Sequence, residues 1–425
     1  MNTKTSELPF LIEVLSTKQK RLLKIFIGLW LIAVWWFWVW WLQPQHILGY
    51  GRYFINTILL SWTLLLPGYF FFFVLRMKKT NPALSIPDNW RIAMVVTKAP
   101  SEPWSVVKKT LTAMLNQLTT HDTWLADEDP QPETIDWCNQ HGVKISTRKG
   151  VIDYHRATWP RRTKCKEGNL AYFYDHYGYA NYDFVVQLDA DHVSTPGYLE
   201  AMIRPFNDSK VGYVSAPSIC DANAGSSWVA RSRLYIESGL HGPLQTGYNN
   251  GLAPLCIGSH YAIRTEALKQ IGGLGPELAE DFSTSLMMNA GGWKGVHAVD
   301  AIAHGDGPAS FTDFIIQEFQ WSRSMVMILL TMFRSHWLKL PFKLKIQFIF
   351  LMLWYPLYGL MMLMAFFLPL IALITNTPWV NVDYMTFALY TGILSFVGLL
   401  IFMNRARTPS GLCHGDELPG GRDVE

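Results

Sequence analysis

Apolar and polar positions divide the 425 residues into three stretches. Leu22 to Leu42 is almost wholly apolar, with seven tryptophans and phenylalanines between Trp30 and Trp41. Phe54 to Leu75 is a second such run, after the short polar link Gln43 to Arg52. Each is long enough to cross a bilayer as a helix. Near the other end, Ile346 to Ile374 is apolar but interrupted by Pro356, Gly359 and Pro369. It is too short for two crossings and predicts one tilted or kinked helix over 346–374. A fourth span is expected over 384–403, with its apolar run from Met385 to Met403.

Between these runs the period changes. After the proline-punctuated linker 80–90, short apolar stretches alternate with amphipathic ones. Strands are expected at Ile92 to Thr97, Thr123 to Ala126, Val143 to Ser146, Phe184 to Leu188 and Val211 to Ser215, and from Cys256 to Arg264. Helices are expected at Trp104 to Leu118, Pro132 to His141, Glu167 to Tyr177, Tyr198 to Phe206, Ser227 to Leu240 and Phe282 to Asn289, and a long loop at Gly242 to Gly251. The order βαβα predicts an α/β fold, a mostly parallel sheet with helices on both faces. From Phe311 the pattern is amphipathic, and Phe333, Trp337 and Leu338 among Arg334, Lys339, Lys343 and Lys345 predict helices lying in a membrane interface.

The expected organisation is therefore a membrane region over 1–80, a globular α/β domain over 81–310, interfacial helices over 311–345, a second membrane region over 346–404 and a disordered tail over 405–425. Charge sets the expected orientation. Lys18, Lys20, Arg21 and Lys24 precede the first span, and Arg76, Lys78 and Lys79 follow the second. Arg405 and Arg407 follow the last. The positive-inside rule puts these flanks, and the domain between them, in the cytoplasm of a multi-pass plasma-membrane protein. The first run is too long, and lacks a small-residue cleavage site, to be a cleaved signal. A net charge of +3 gives no footprint for nucleic acid. Cys138, Cys165, Cys220, Cys256 and Cys413 form no CxxC and no zinc spacing, and read as reduced, mostly buried thiols.

Candidate chemistry gathers where strands end. Asp189 and Asp191 follow the strand at Phe184, and positions two apart on a strand share a side. Two carboxylates there suit Mg2+ or Mn2+ carrying a diphosphate; the competing reading is a solvated acidic turn. Asp127-Glu128-Asp129 follows another strand, at the same sheet edge, where an acidic residue can meet a ribose or nucleobase. Lys166-Glu167-Gly168-Asn169 opens a helix, with Arg161 and Arg162 before it, and a helix start favours phosphate. His260 could touch a phosphate or sugar, or be structural. Glu280-Asp281 opens a helix, where acids are often caps. No Walker lysine motif and no GxGxxG follows the first strand, which excludes a P-loop NTPase and a dinucleotide dehydrogenase.

Seven pieces in order, Glu102-Pro103, Asp127-Glu128-Asp129, Lys166-Glu167-Gly168-Asn169-Leu170, Asp189-Ala190-Asp191, Gly258-Ser259, Glu280-Asp281 and Gln320-x-x-Arg323, resemble the processive family-2 glycosyltransferases, the group of cellulose, chitin and hyaluronan synthases. The resemblance runs from about Trp90 to Arg334. It implies a GT-A-type nucleotide-sugar domain inserted between transmembrane helices, and inverting transfer of a sugar from a UDP-sugar donor to a glycan or lipid acceptor. By the same resemblance Asp189 and Asp191 hold the metal and diphosphate, and Asp281 is the general base. Asp127, Asp129, Lys166, Gly168, Asn169, Glu280, Gln320 and Arg323 bind substrates. Glucose is the implied sugar, with N-acetylglucosamine the alternative. A homo-oligomer or accessory secretion proteins would be further partners.

Two departures stand out. Ser324 occupies the place of the tryptophan that ends the last family motif, so acceptor identity and processivity do not follow from the resemblance. Only two spans follow the domain, where cellulose synthases have more; truncation, dimerisation and a short product without a full channel are the alternatives. Two other functional classes compete: an inactive nucleotide-sugar-binding relative that regulates a partner synthase, and a channel or transporter with a cytosolic ligand domain. Few ionisable residues within the spans count against the last.

Overall fold

The computed structural model describes residues 8–405. The described chain forms two compact units, one of residues 8–12 and 78–352 and one of 13–77 and 353–405.

The larger unit is built on a seven-stranded sheet. Its strands are β1 (Ile92–Lys98), β2 (Asp122–Asp127), β3 (Lys144–Ser146), β4 (Phe184–Leu188), β5 (Val211–Ser215), β6 (His260–Arg264) and β7 (Lys294–His297), in the spatial order β7-β5-β6-β4-β1-β2-β3. β1 is parallel to β2 and β4, β2 to β3, and β7 to β5; only β6 runs antiparallel to its neighbours β4 and β5. Every residue of β1 and β4 is buried, because helices cover both faces. Ile92, Met94, Val96, Phe184, Val186 and Leu188 meet the helix Trp104–Leu115 through Val107, Leu111 and Met114 on one face. Ala93, Val95 and Val185 meet Leu170 and Phe173 on the other. Each fully buried large apolar side chain stabilises by about 1.5–3 kcal/mol.

Register then positions the chemistry. Lys98 at the end of β1 is level with Asp127 at the end of β2, and Val96 with Leu188 at the end of β4. The carboxyl ends of three parallel strands thus share one edge, the usual ligand side of open α/β sheets.

Four local expectations change. β2 runs through Asp127, so that residue ends the strand rather than following it. β4 ends at Leu188, so Asp189 and Asp191 stand in a turn, and strand alternation does not bring them together. Residues 242–251 are largely helical, with a π-turn at Leu240–Leu244 and a helix at Gln245–Tyr248. The run 346–374 is not one helix. It breaks at Leu353 between Phe342–Met352 and Trp354–Ile374. Phe348 and Met352 pack with Phe282 and Leu286 of the larger unit, which ties the first piece there. Pro356 falls in the first turn of the second piece, where a missing N–H breaks no helical bond.

Among the described residues, the smaller unit holds four helices long and apolar enough to cross a membrane, Thr17–Trp41, Tyr50–Val74, Trp354–Ile374 and Tyr384–Ile401. Ser16 and Gln19 form a capping box at the first. Aromatic stacks join them, Trp40 on Tyr390 at 4.4 Å and Trp41 on Tyr53 at 5.3 Å between ring centroids. Arg407, Cys413 and the tail expected to be disordered lie outside the described residues.

Candidate active site

The turn after β4 is tied at each residue. Asp189 N–H donates to the Ser259 carbonyl at 2.8 Å, and His192 N–H to the Asp189 carbonyl at 3.2 Å. Thr110 donates its hydroxyl to the Ala190 carbonyl at 2.6 Å. Asp191 accepts from Asp306 N–H at 3.2 Å and pairs with the His192 ring at 2.9 Å. These ties hold both carboxylates at the mouth of the sheet edge, each about a third exposed, at 36% for Asp189 and 32% for Asp191. Although burial opposes it, the His192 contact holds the Asp191 carboxyl below its ordinary range.

Lys166 brings an ammonium among these acids. It donates to Asp189 and, at 2.6 Å, to the Gly258 carbonyl. Burial disfavours its charge, yet Asp189, Glu280 and Asp281 outweigh burial and hold its pKa above the ordinary lysine value. Glu102 belongs to the same cluster: burial raises its pKa, and Asp189 and Asp191 add to the rise.

Glu280 and Asp281 open the helix Glu280–Ala290, where the helix dipole favours acids. Glu280 is 5% exposed and its Oε1 has no hydrogen-bond partner. Burial, then the neighbouring Asp281, pushes its pKa up to about 8. Burial also raises Asp281, to about 6, against the Phe282 N–H, Lys166 and the Gly258 N–H, which favour its charged form. Its Oδ1 accepts from Phe282 N–H at 2.7 Å, so it does cap its helix. Its Oδ2 faces Gly258, where a Cβ would stand 3.2 Å away, so glycine leaves that oxygen its room.

The rest of the Lys166-Glu167-Gly168-Asn169 motif builds the scaffold. Glu167 accepts from the backbone N–H groups of Arg161 and Arg162. A Cβ on Gly168 would collide with the guanidinium of Arg148 and the Arg162 carbonyl oxygen. Asn169 donates to the Ala126 carbonyl at 2.8 Å and ties this helix to the end of β2. Arg148 is fully buried; it bonds the Tyr154, Arg162 and Cys165 carbonyls and pairs with Glu128. No periodicity singles out Arg148; it follows β3 as an ordinary loop arginine in the sequence.

In the acidic trio, Asp127 is fully buried and paired with Lys98 at 3.3 Å. The Lys98 ammonium lies 3.3 Å from both carboxylate oxygens, and Oδ1 also accepts from Asp129 N–H. Asp129 points outward to Lys149, which lowers its pKa. His260 is wholly buried, its ring bonded to the Tyr198 hydroxyl at 3.1 Å and packed against His192, and burial drives its pKa well down. It is a neutral support beneath the turn.

Gln320 and Arg323 sit on the helix Phe311–Ile328. No hydrogen bond or ion pair among the described residues joins either side chain to the acids. Ser324, in contrast, is fully buried with its hydroxyl unpartnered. Among the described residues, no group of three or more His, Cys, Asp and Glu side chains forms a ready cage for a metal ion. Asp189 and Asp191 nevertheless offer hard oxygens beside a lysine that already occupies a cation's place, so the donor set fits a divalent metal.

The family profile described as glycosyl transferase family 2 matches residues 94–272, and that described as glycosyl transferase family group 2 matches residues 184–394. The UDP-forming cellulose synthase catalytic subunit of Komagataeibacter sucrofermentans is 26% identical over 256 residues, 58% of this chain and 32% of the relative. Glucans biosynthesis glucosyltransferase H of Rhodopseudomonas palustris is 27% identical over 232 residues, 50% of this chain and 31% of the relative. The chain spans about a third of the length of these relatives. Among solved structures, a Pyrobaculum calidifontis mannosyltransferase in complex with GDP-Man and Mn2+ is similar in fold, with a TM-score of 0.50, 14% identity and coverage of 84% of this chain and 97% of that one. With its GT-A-like sheet, the chain belongs to glycosyltransferase family 2 and is related to the bacterial cellulose synthase catalytic subunits.

Proposed function

We propose that this protein is a membrane-embedded inverting glycosyltransferase, which moves glucose from UDP-glucose to a growing glycan or a lipid acceptor with the help of Mg2+ or Mn2+. One observation carries the reading: Asp281 Oδ2, left room by Gly258, lies in the same cluster as Lys166 and Asp189, so a base and a diphosphate anchor share one pocket. Asp127, at the end of β2 and paired with Lys98, would support the nucleotide side of the pocket. Asp189 and Asp191 would hold the metal, which when bound offsets charge on the diphosphate.

Asp281 takes the proton from the acceptor hydroxyl. The acceptor oxygen then forms its bond to the sugar C1 as the bond from C1 to the diphosphate oxygen breaks, and UDP leaves. Lys166, held charged by its acidic neighbours, offsets the charge that grows on the leaving oxygen. Burial and the neighbouring Asp281 raise the pKa of Glu280, which disfavours it as the base.

The mannosyltransferase solved with Mn2+ and the cellulose synthase and glucosyltransferase relatives support the metal and the glucosyl donor respectively. The direct test incubates purified protein in detergent with a panel of radiolabelled UDP-sugars and Mn2+, and sizes the product. Transfer from UDP-glucose is expected; transfer from UDP-N-acetylglucosamine alone would replace the sugar, and no transfer or UDP release from any donor would overturn the activity. Orientation is part of the proposal. The lysine and arginine flanks favour an inner-membrane protein with residues 81–310 in the cytoplasm. A cysteine placed between Gln43 and Arg52 should react with an impermeant reagent on intact cells, and failure to react would reverse this topology.

A further inference from the structure

Gln320 and Arg323 ride on a helix whose two ends are held differently. Its C-terminal end is packed: Ile328 is buried in an apolar cluster with Phe282, Leu286 and Phe348. Its first three turns expose Phe311, Ile315, Ile316 and Phe319. From the globular side, Trp228 stacks on Phe311 at the first turn, and Arg233 of the same helix, Trp228–Gly239, grips the two turns that follow. Arg233 is 3% exposed. Its guanidinium lies 4.5 Å from the Phe314 ring centroid and 4.6 Å from that of Trp321. Nη1 donates to Glu318 at 2.7 Å and Nη2 to Gln317 at 3.4 Å. Residues 314, 317, 318 and 321 follow the i, i+3, i+4, i+7 spacing of a single helix face, so one side chain grasps two turns. Gln320 and Arg323 lie about 100° and 160° around the helix from Trp321, which makes their direction depend on this grip.

The same arginine is anchored from behind. Its Nε is 3.8 Å from Glu237, which is buried beside Cys220. Cys220 Sγ is 3.5 Å from the Ser218 hydroxyl, and that hydroxyl is 3.4 Å from His192 Nε2. His192 in turn holds Asp191. A continuous buried polar run therefore extends from the carboxylate pair after β4 to the helix that carries Gln320 and Arg323.

We propose that Arg233 is a positioning residue: by clamping Phe314, Glu318 and Trp321 it fixes the rotation of the helix Phe311–Ile328, and so aims Gln320 and Arg323 at the transfer site. The proposal rests on the transferase reading above. Arginine is required because a flat guanidinium can sit between two rings and bond sideways at the same time; a lysine ammonium cannot do both.

The test uses the full chain in detergent. Arg233→Lys should lower kcat by about tenfold or more, the scale of a small misplacement of reacting groups. Affinity for UDP with Mn2+ should be unchanged, and amide hydrogen exchange should quicken across residues 311–323 but not in the helix Glu280–Ala290. Trp321→Phe keeps an aromatic face against the guanidinium and should stay near the wild-type rate. Wild-type turnover or unchanged exchange in Arg233→Lys would overturn the clamp. So would a fall in UDP affinity and melting temperature in step with the rate, which marks a general loss of structure. If the wild-type chain transfers no sugar, the transferase reading fails by itself, and the exchange measurement still decides whether Arg233 holds the helix.

Discussion

The pocket after β4 and the helix Phe311–Ile328 are built on opposite principles. In the pocket, Asp189, Asp191, Lys166 and Asp281 each have fixed partners, and the turn that carries two of them is bonded at every residue. On the helix, Gln320 and Arg323 have none among the described residues, and its first turns are held by the ring of Trp228 and the buried guanidinium of Arg233. A preorganised pocket suits a donor whose nucleotide and diphosphate never vary. On the proposed function, a helix face with unpaired side chains would meet the acceptor.

Substitutions in the pocket should therefore be far costlier to transfer than those on the helix. The largest effect is expected for Asp189→Asn or Asp191→Asn. Either removes a charge at the diphosphate and should lower transfer by roughly a hundred- to a thousandfold, the scale of losing preorganised electrostatic stabilisation. Radiolabelled transfer measured with and without EDTA checks this, and wild-type turnover in EDTA would remove the metal from the reading.

Asp281→Asn comes next, with a loss of roughly a hundredfold and intact UDP binding, as expected when acid–base catalysis is removed. The pH profile gives the same residue a second test. Its folded pKa is raised to about 6, and the base works only when ionised, so the rate should rise with pH through that value and fall away below it. An unperturbed aspartate would put this limb about two units lower, near 4. A mutant that melts earlier yet turns over normally would leave Asp281 as a helix cap only.

Arg323→Lys should be the mildest. It keeps the charge but loses the planar fork, for about tenfold, the scale of one charge-assisted hydrogen bond. Because Arg323 is exposed and unpaired, the loss should appear against the acceptor and leave donor affinity and melting temperature alone. A loss of donor affinity instead would move Arg323 to the diphosphate side and blur the contrast between the two regions.

The sequence alone determined the elements and the chemistry class. Hydrophobic period separated the membrane helices from β1 and β4, because a strand covered on both faces must be apolar throughout. Short motifs in order carried the family, because a turn and a helix start place their acids and lysine by local geometry alone. The tertiary structure decided what depends on residues far apart in the chain. Asp127 ends a strand and is wholly buried, because the register sets Lys98 level with it and the lysine's ammonium lies 3.3 Å from its carboxylate. For Gly168 and Asn169, only the fold brings Arg148 and the end of β2 against them. The break at Leu353 follows from Phe348 and Met352 finding an apolar cluster in the larger unit, which hydropathy, blind to partners, merged into one span. Arg233 carries no local signal at all: a buried guanidinium is tolerable only where two rings and a carboxylate meet it, and those come from a helix some eighty residues later in the sequence.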